Sequence, residues 1–525
     1  MPFFDFHIHP TLKSLFSEND AKSQCKKHSP WTPLDKSKIP FLLKCCTEFP
    51  YILQSQGDLA QLAASDCNLV CVALYMPEKD MLAADLLQKS TEGPLGIYLQ
   101  KQKIDTLLNG NPYELLRSDD WATLTDAVQF GINNKKVKLI RKRSDYDEND
   151  LSTIHVVFSV EGCHSLSSGI QNFDVDAIIN NIDDLRKSAA LLSINLTHME
   201  QSPLCNMAFG MQFLSDEGFR PTGFKIEDKG IAVLKHCYEN NIMIDVKHLS
   251  LGSRQHLYEL RRTPEFATIN QPIVCTHAGF TGISFKEIPD YLFAVRDFAK
   301  KGYTVFWQGK PVKYGDSPRP CFNASSINLY DEDIMEILQS GGMIGLSMDK
   351  RILGFQQFEK ESNGRDDFPL ETEYISNKEK TLFLGKGKVT ISKAFADAEK
   401  IMSWDEIEEG GEVNPMLSDY HLKHFMAHII HVIALAQKNS YDVMTALNQL
   451  CIGSDYDGLI NPIWVCETAN SLEHFKSELE DNFVSFAKKS GIKLPEEFDV
   501  KSFSKKLFFE NGRDFVMKRL DIING

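Results

Sequence analysis

Eight short runs of apolar, largely β-branched residues recur along the chain: Pro2–Phe6, Asn68–Leu74, Ile154–Val160, Leu191–Thr197, Ile242–Val246, Pro272–Thr276, Met343–Met348 and Leu450–Ser454. Runs this continuous predict strands buried on both faces. Between several of them the period becomes helical, as in Lys229–Asn240 before the fifth run and Asp331–Gln339 before the seventh. Strand and helix in alternation predict parallel βαβ units, and eight such units close into an α/β barrel of the (β/α)8 type.

A barrel of this kind needs about 250 residues, whereas this chain has 525. The surplus is expected in three insertions within one domain spanning 1–525, at about 10–66, 288–322 and 349–419. The first is polar and helical. The second carries Trp307, Lys310, Lys313 and Arg319, and the third is charged and dotted with glycine. Connections of such length in a compact fold form lids or small subdomains. The tail, Ser471–Leu520, has helical periodicity and predicts terminal helices.

Composition narrows the function. The chain is 42% hydrophobic and 25% charged, with 57 basic against 72 acidic residues and a net charge of −15. That balance fits an ordinary globular protein and disfavours a nucleic-acid partner. The 12 cysteines include no Cys-x-x-Cys pair, although Cys45 adjoins Cys46 and Cys67 precedes Cys71 by four; the scatter predicts reduced, buried thiols. The opening residues lack a leader pattern, and no stretch reaches the roughly 20 apolar residues of a membrane span. A cytoplasmic protein with no membrane partner is expected, its state left open between monomer and homo-oligomer.

The chemistry is carried by residues that follow the apolar runs. His7 and His9 share a face of the first strand, so both can grip one cation. Glu161 follows Val-Val-Phe-Ser-Val, His248 ends Ile-Met-Ile-Asp-Val-Lys-His, and His277 ends Pro-Ile-Val-Cys-Thr-His. A carboxylate beside a buried strand is costly unless paired or metal-bound. Each histidine alone reads as a satisfied core residue; five such groups on successive strand ends read as a metal centre.

They exceed what one catalytic zinc can hold while keeping an open position, so two zinc ions bridged by Glu161 are expected, with a water between them acidified to hydroxide. Iron, cobalt or manganese suit the same donors. Asp455, in Gly-Ser-Asp-Tyr-Asp-Gly, is the candidate proton acceptor for that water, and Asp457, of the same strand parity, a candidate substrate contact. His198, in Leu-Thr-His, is expected to contact substrate and polarise the scissile carbonyl.

A second stripe, His421, His424, His428 and His431, occupies one helical face and is expected to pack against the barrel or its lid rather than hold a metal. His164 is expected to orient the Glu161 loop, and Lys247, as the neighbour of His248, to face the other side of its strand.

In order along the chain, Val-Glu-Gly-Cys-His-Ser, Leu-Thr-His, Asp-Val-Lys-His-Leu-Ser, Cys-Thr-His-Ala and Gly-Ser-Asp-Tyr-Asp-Gly resemble the motifs of the membrane (renal) dipeptidase family of metal-dependent amidohydrolases. The likeness runs discontinuously from residue 5 to Phe508–Phe515. The resemblance implies a (β/α)8 barrel with two zincs, Glu161 bridging, His248 and His277 on one ion, His198 beside the substrate carbonyl and Asp455 handling the proton.

Two positions depart from the family. His7-Ile8-His9 stands where it has His-x-Asp, which leaves the first ion more positive. Ile327 stands where it has an arginine that clamps a dipeptide's carboxylate, a loss of bidentate recognition for which Arg319 is a candidate substitute. The sequence thus predicts a metal-dependent hydrolase of a peptide or amide C–N bond in a small, dipeptide-like substrate. The alternatives are hydrolysis of another amide, lactone or ester, and a metal-binding scaffold without catalysis.

Overall fold

The computed structural model describes residues 2–15, 29–34, 53–92, 101–129, 135–168, 173–210, 217–297, 302–307, 314, 322–354, 371–386, 391–392 and 415–524. Each of the eight apolar runs forms a strand. They are β1 (Phe3–Ile8), β2 (Cys67–Leu74), β3 (Thr153–Val160), β4 (Leu191–Ile194), β5 (Met243–Asp245), β6 (Ile273–Ala278), β7 (Met343–Leu346) and β8 (Leu450–Ile452). Every neighbouring pair from β1 to β8 is parallel.

The barrel closes between its first and last strands by a short seam. Ile8 and Tyr456 form a parallel bridge, His9 N donates to Tyr456 O at 2.9 Å, and Asp455 N donates to His7 O at 2.9 Å. The expected (β/α)8 architecture is therefore present. Helices separate the strands, among them Asp228–Glu239 before β5 and Asp331–Gln339 before β7. A further strand, Lys136–Leu139, joins β3 in parallel.

Burial explains why these residues make strands. All eight residues of β2 and all eight of β3 are buried, and β-branched chains pack well on such a surface. Phe4, Phe6, Val157, Met243 and Val274 share a floor cluster with Phe509, Val516 and Leu520 of the C-terminal segment. Phe6 meets Phe515 edge to face at 5.9 Å. The tail forms helices Leu472–Lys489, Val500–Lys505 and Asn511–Asn524, as its periodicity predicts. The eight cysteines among the described residues are buried and free, Cys67 and Cys71 included, while Cys45 and Cys46 lie outside the described residues. No helix among the described residues is long and apolar enough to cross a membrane.

The second and third insertions meet. Strands Leu292–Asp297 and Gly302–Trp307 pair with Glu371–Ser376 and Ile391–Ser392 in a four-stranded sheet. Two buried glutamates tie this sheet to the barrel. Glu373 accepts from Trp307 Nε1 and Ser326 N, both at 2.9 Å. Glu379 accepts from Gly252 N at 2.9 Å and Asn206 Nδ2 at 2.8 Å.

The histidine stripe lies on the helix Pro415–Lys438 and is packed, as its spacing predicts. His421 Nδ1 accepts from Trp464 N at 3.0 Å, and His431 reaches Asp331 at 2.9 Å. The His428 ring lies 4.0 Å from that of Phe322.

Where the strands crowd, glycine is required. A Cβ on Gly453 would lie 1.7 Å from the Thr276 carbonyl oxygen. Gly453→Ala is expected to cost ~1–3 kcal/mol or more through forced strand separation, read as a lower Tm.

Burial pushes the Glu379 carboxyl up to about 7 from an ordinary 4.5. Between those values the unfolded chain has released a proton that the folded chain keeps, so this group lowers stability as pH rises from 4.5 to about 7. Glu379→Gln keeps one of the two acceptor oxygens and removes the titration, and is expected to lower stability overall but flatten that fall in urea midpoints; an unaltered slope would contradict the assignment.

Candidate active site

The residues that converge at the carboxyl end of the barrel are brought there by breaks in regular strand geometry. A register shift between Asp5 and Ile8 precedes His9. His248 and Asp455 adopt left-handed backbone angles, with φ of 69° and 62°. Non-glycine residues hold that conformation at a cost of about 1–3 kcal/mol each and do so mainly at functional sites. The departures free successive side chains from strict alternation.

Glu161 stands at the centre and is 4% exposed. Its Oε2 lies 3.2 Å from His9 Nε2, and its Oε1 lies 3.1 Å from His248 Nε2. His7 and His277 each place Nε2 3.5 Å from Oε1, and His198 places Nε2 at 3.7 Å. Asp455 Oδ1 is 3.5 Å from His9 Nε2 and 3.9 Å from His7 Nε2. All seven residues singled out from strand ends therefore meet in one place.

The nitrogens pair off. His7 and His9 bring their Nε2 atoms to 3.0 Å, and His248 and His277 bring theirs to 3.2 Å. These separations approach the roughly 3.3 Å edge of a tetrahedron with bonds of about 2.0–2.1 Å, as zinc makes to imidazole. Three groups of donor atoms are close enough to hold a cation: His7, His9 and Asp455; His7, Asp245 and His277; and Glu161, His198 and His248. The histidine stripe of the long helix supplies no such group among the described residues.

The electrostatics leave an anionic carboxylate at the centre with two neutral imidazoles beside it. Burial alone would raise the Glu161 carboxyl, yet His198, His7 and a hydrogen bond from His248 hold it well below the usual carboxylate range. Burial, aided by His198, lowers His248 to about 3, and burial also holds His277 well below its ordinary value. Neutral imidazoles beside an anionic carboxylate are the form in which these groups bind metal. Burial opposes a charge on His9, but Asp455 and Glu161 outweigh it and raise that group to about 10.

Several supporting residues went unmarked in the sequence. Thr276 Oγ1 lies 2.8 Å from His7 Nδ1 and donates to Asp245 Oδ2, which steadies the ring from behind. Asp5 accepts from His7 N at 3.1 Å and from Ser454 N at 3.0 Å, joining β1 to the end of β8. Both aspartates interrupt apolar runs, and that interruption was the available signal. Glu78, beyond β2, accepts from His198 Nδ1 and Tyr75 Oη. Gly458 has no Cβ because one would lie 2.1 Å from Asp455 Oδ1.

The remaining residues singled out from the sequence have other surroundings or lie outside the described residues. Asp457 is turned away from the cluster: it accepts from Lys13 Nζ at 2.7 Å, Gln56 N at 2.8 Å and Gly57 N at 3.2 Å. Its parity with Asp455 fails because both residues have positive φ, 62° and 65°. His164 binds Met76 O at 2.7 Å, on the β2 loop. Lys247 is buried in the electrostatic reach of Asp455, Asp349 and Asp245, its Nζ without a hydrogen-bond partner among the described residues. Arg319, Lys310 and Lys313 lie outside the described residues.

No protein-family model matches the sequence, and no curated protein matches it. Solved structures do. The probable dipeptidase PvdM from Pseudomonas aeruginosa superposes with a TM-score of 0.51 at 14% identity, over 99% of this chain and 96% of that one. The chain shares that protein's fold. A metallo peptidase from Rhodobacter sphaeroides, liganded with a phosphinate mimic of the dipeptide L-Ala-D-Ala, gives 0.46 at 12% identity over 99% of each chain. A metallo peptidase of family M19, dipeptidase AC, also gives 0.46 at 12% identity, over 99% and 98%.

Thr276→Val removes the hydroxyl between Asp245 and His7 at nearly constant volume. It is expected to weaken divalent-metal affinity about 10–100-fold, measured by competition with a chromogenic chelator.

Proposed function

We propose that this protein is a binuclear metal-dependent hydrolase of a C–N bond in a small substrate, dipeptidase-like, with zinc as its metal. The observation that carries the reading is the central place of Glu161 among four imidazoles, its Oε2 3.2 Å from His9 and its Oε1 3.1 Å from His248 and 3.5 Å from both His7 and His277. His7 and His9 would hold one ion, His248 and His277 the other, and Glu161 both. Bound there, the ions supply a hydroxide nucleophile at neutral pH and a Lewis acid for the carbonyl.

The chain's own residues do the rest. Asp455, 14% exposed at its side chain and raised by burial despite His9 and His7, takes the proton of the nucleophile and returns it to the leaving amine. His198 stands beside the cluster and stabilises the charge that develops on the carbonyl oxygen. The buried, water-poor surroundings strengthen both effects.

Hydrolysis of an amide, lactone or ester lacking a free carboxylate is the second reading, and Ile327 favours it. Its side chain is 6% exposed and apolar where an arginine would clamp a carboxylate. The neighbouring cation, Arg254, donates to Ser326 O at 2.7 Å and pairs with Asp333 at 3.1 Å, so it is committed elsewhere. A panel of dipeptides, N-acyl amino acids and lactones separates the two readings by kcat/KM.

Removal of metal by chelation is expected to abolish turnover, and readdition of zinc to restore it. Asp455→Asn is expected to lower kcat about 10²–10⁴-fold while the purified protein still carries metal. A protein that binds no transition metal, or an Asp455→Asn variant with full activity, refutes the proposal.

A further inference from the structure

β2 is a barrel strand to which the sequence reading assigns no site residue, yet the loop after it, Tyr75-Met-Pro-Glu78, reaches the site. Glu78 is 1% exposed. Its Oε1 accepts from His198 Nδ1 and, at 3.3 Å, from Met199 N, while its Oε2 accepts from Tyr75 Oη. A carboxylate engaged by three donors only accepts, so Nδ1 of His198 carries hydrogen and Nε2 is the atom presented to the cluster, 3.7 Å from Glu161 Oε1. The ring is walled by Tyr75 at 5.0 Å and His248 at 4.2 Å, both edge to face, and it stacks on His164 at 6.3 Å.

Resting on the reading of His198 as the carbonyl-polarising group, we propose that Glu78 is its positioning residue: it sets which nitrogen of His198 meets the substrate and fixes the ring's angle. Among the described residues no hydrogen bond or ion pair joins Glu78 to Glu161, His7, His9, His248 or His277; its direct contact with the cluster is His198, and its other side-chain partner, Tyr75, meets the His9 ring only edge to face at 6.0 Å. Rotation of the imidazole about Cβ–Cγ would break the Nδ1 contact and swing Nε2 off the reacting carbonyl. Misplacement of a reacting group by about 1 Å costs on the order of 100-fold in rate.

The test uses the full-length, zinc-loaded protein. Glu78→Ala is expected to lower kcat about 100-fold with KM and bound zinc near wild type. Glu78→Gln, whose amide oxygen can still accept from Nδ1–H and whose amide nitrogen can face Tyr75 Oη, is expected to recover most of that loss. A purely structural role would instead lower Tm and zinc content together. An undiminished kcat in Glu78→Ala overturns the inference, as does a Glu78→Gln variant as slow as Glu78→Ala.

Imidazole spectra of ¹⁵N-histidine-labelled protein, assigned with His198→Gln, provide a readout independent of turnover. The Nδ1–H signal of His198 is expected in wild type and Glu78→Gln and is expected to disappear in Glu78→Ala. If the wild type is inert toward every substrate in the panel, the hydrolase reading fails. The spectra then decide the Glu78 contact alone, and a signal that survives in Glu78→Ala refutes it.

Discussion

Glu161 is almost fully buried with five imidazole nitrogens between 3.1 and 3.7 Å from its oxygens, and an anion so placed must be answered by positive charge. Much of the surrounding architecture serves that demand. Parallel strands carry each histidine to the same end of the barrel, left-handed residues turn His248 and Asp455 toward the centre, and Asp245 steadies His7 from behind through Thr276. The floor of aromatic and aliphatic side chains keeps water from the opposite end. Stability given up in strained backbone and buried charge is offset by that floor and by the sheets around it.

Much of this was legible in the linear pattern because parallel strands buried on both faces leave an unmistakable trace. The eight apolar runs became the eight barrel strands, and the seven strand-end groups met. Their boundaries were less legible: β4, β7 and β8 end at Ile194, Leu346 and Ile452, two or three residues before the apolar runs do. Beyond those points the chain leaves the ladder while staying buried, so hydrophobicity continues where hydrogen-bonded pairing stops. Asp457 misled for a related reason, since parity of two residues holds only where the backbone is extended.

Features assembled from distant segments escaped detection. The four-stranded sheet joins residues on either side of β7, and one of its strands, Leu292–Asp297, mixes apolar residues with Arg296 and Asp297. Glu78 follows a proline in a short loop and carries no periodicity at all. Its value lies in where the loop ends in space. The two positions departing from the dipeptidase pattern, His9 and Ile327, were legible as departures, and the structure gives each a setting: His9 directly at the cluster, Ile327 buried close to Gly210.

The seam between β1 and β8 passes through the site itself. His7 and Asp455 are joined through their backbones as well as their side chains, and beneath them Asp5 binds Ser454, a residue 449 positions away in sequence. During synthesis the first strand must therefore wait for nearly the whole polypeptide before its histidines meet Asp455, although Glu161 is made much earlier. A fragment released early would display His-x-His without Asp455. The cluster is thus complete only once the last barrel strand has joined the first.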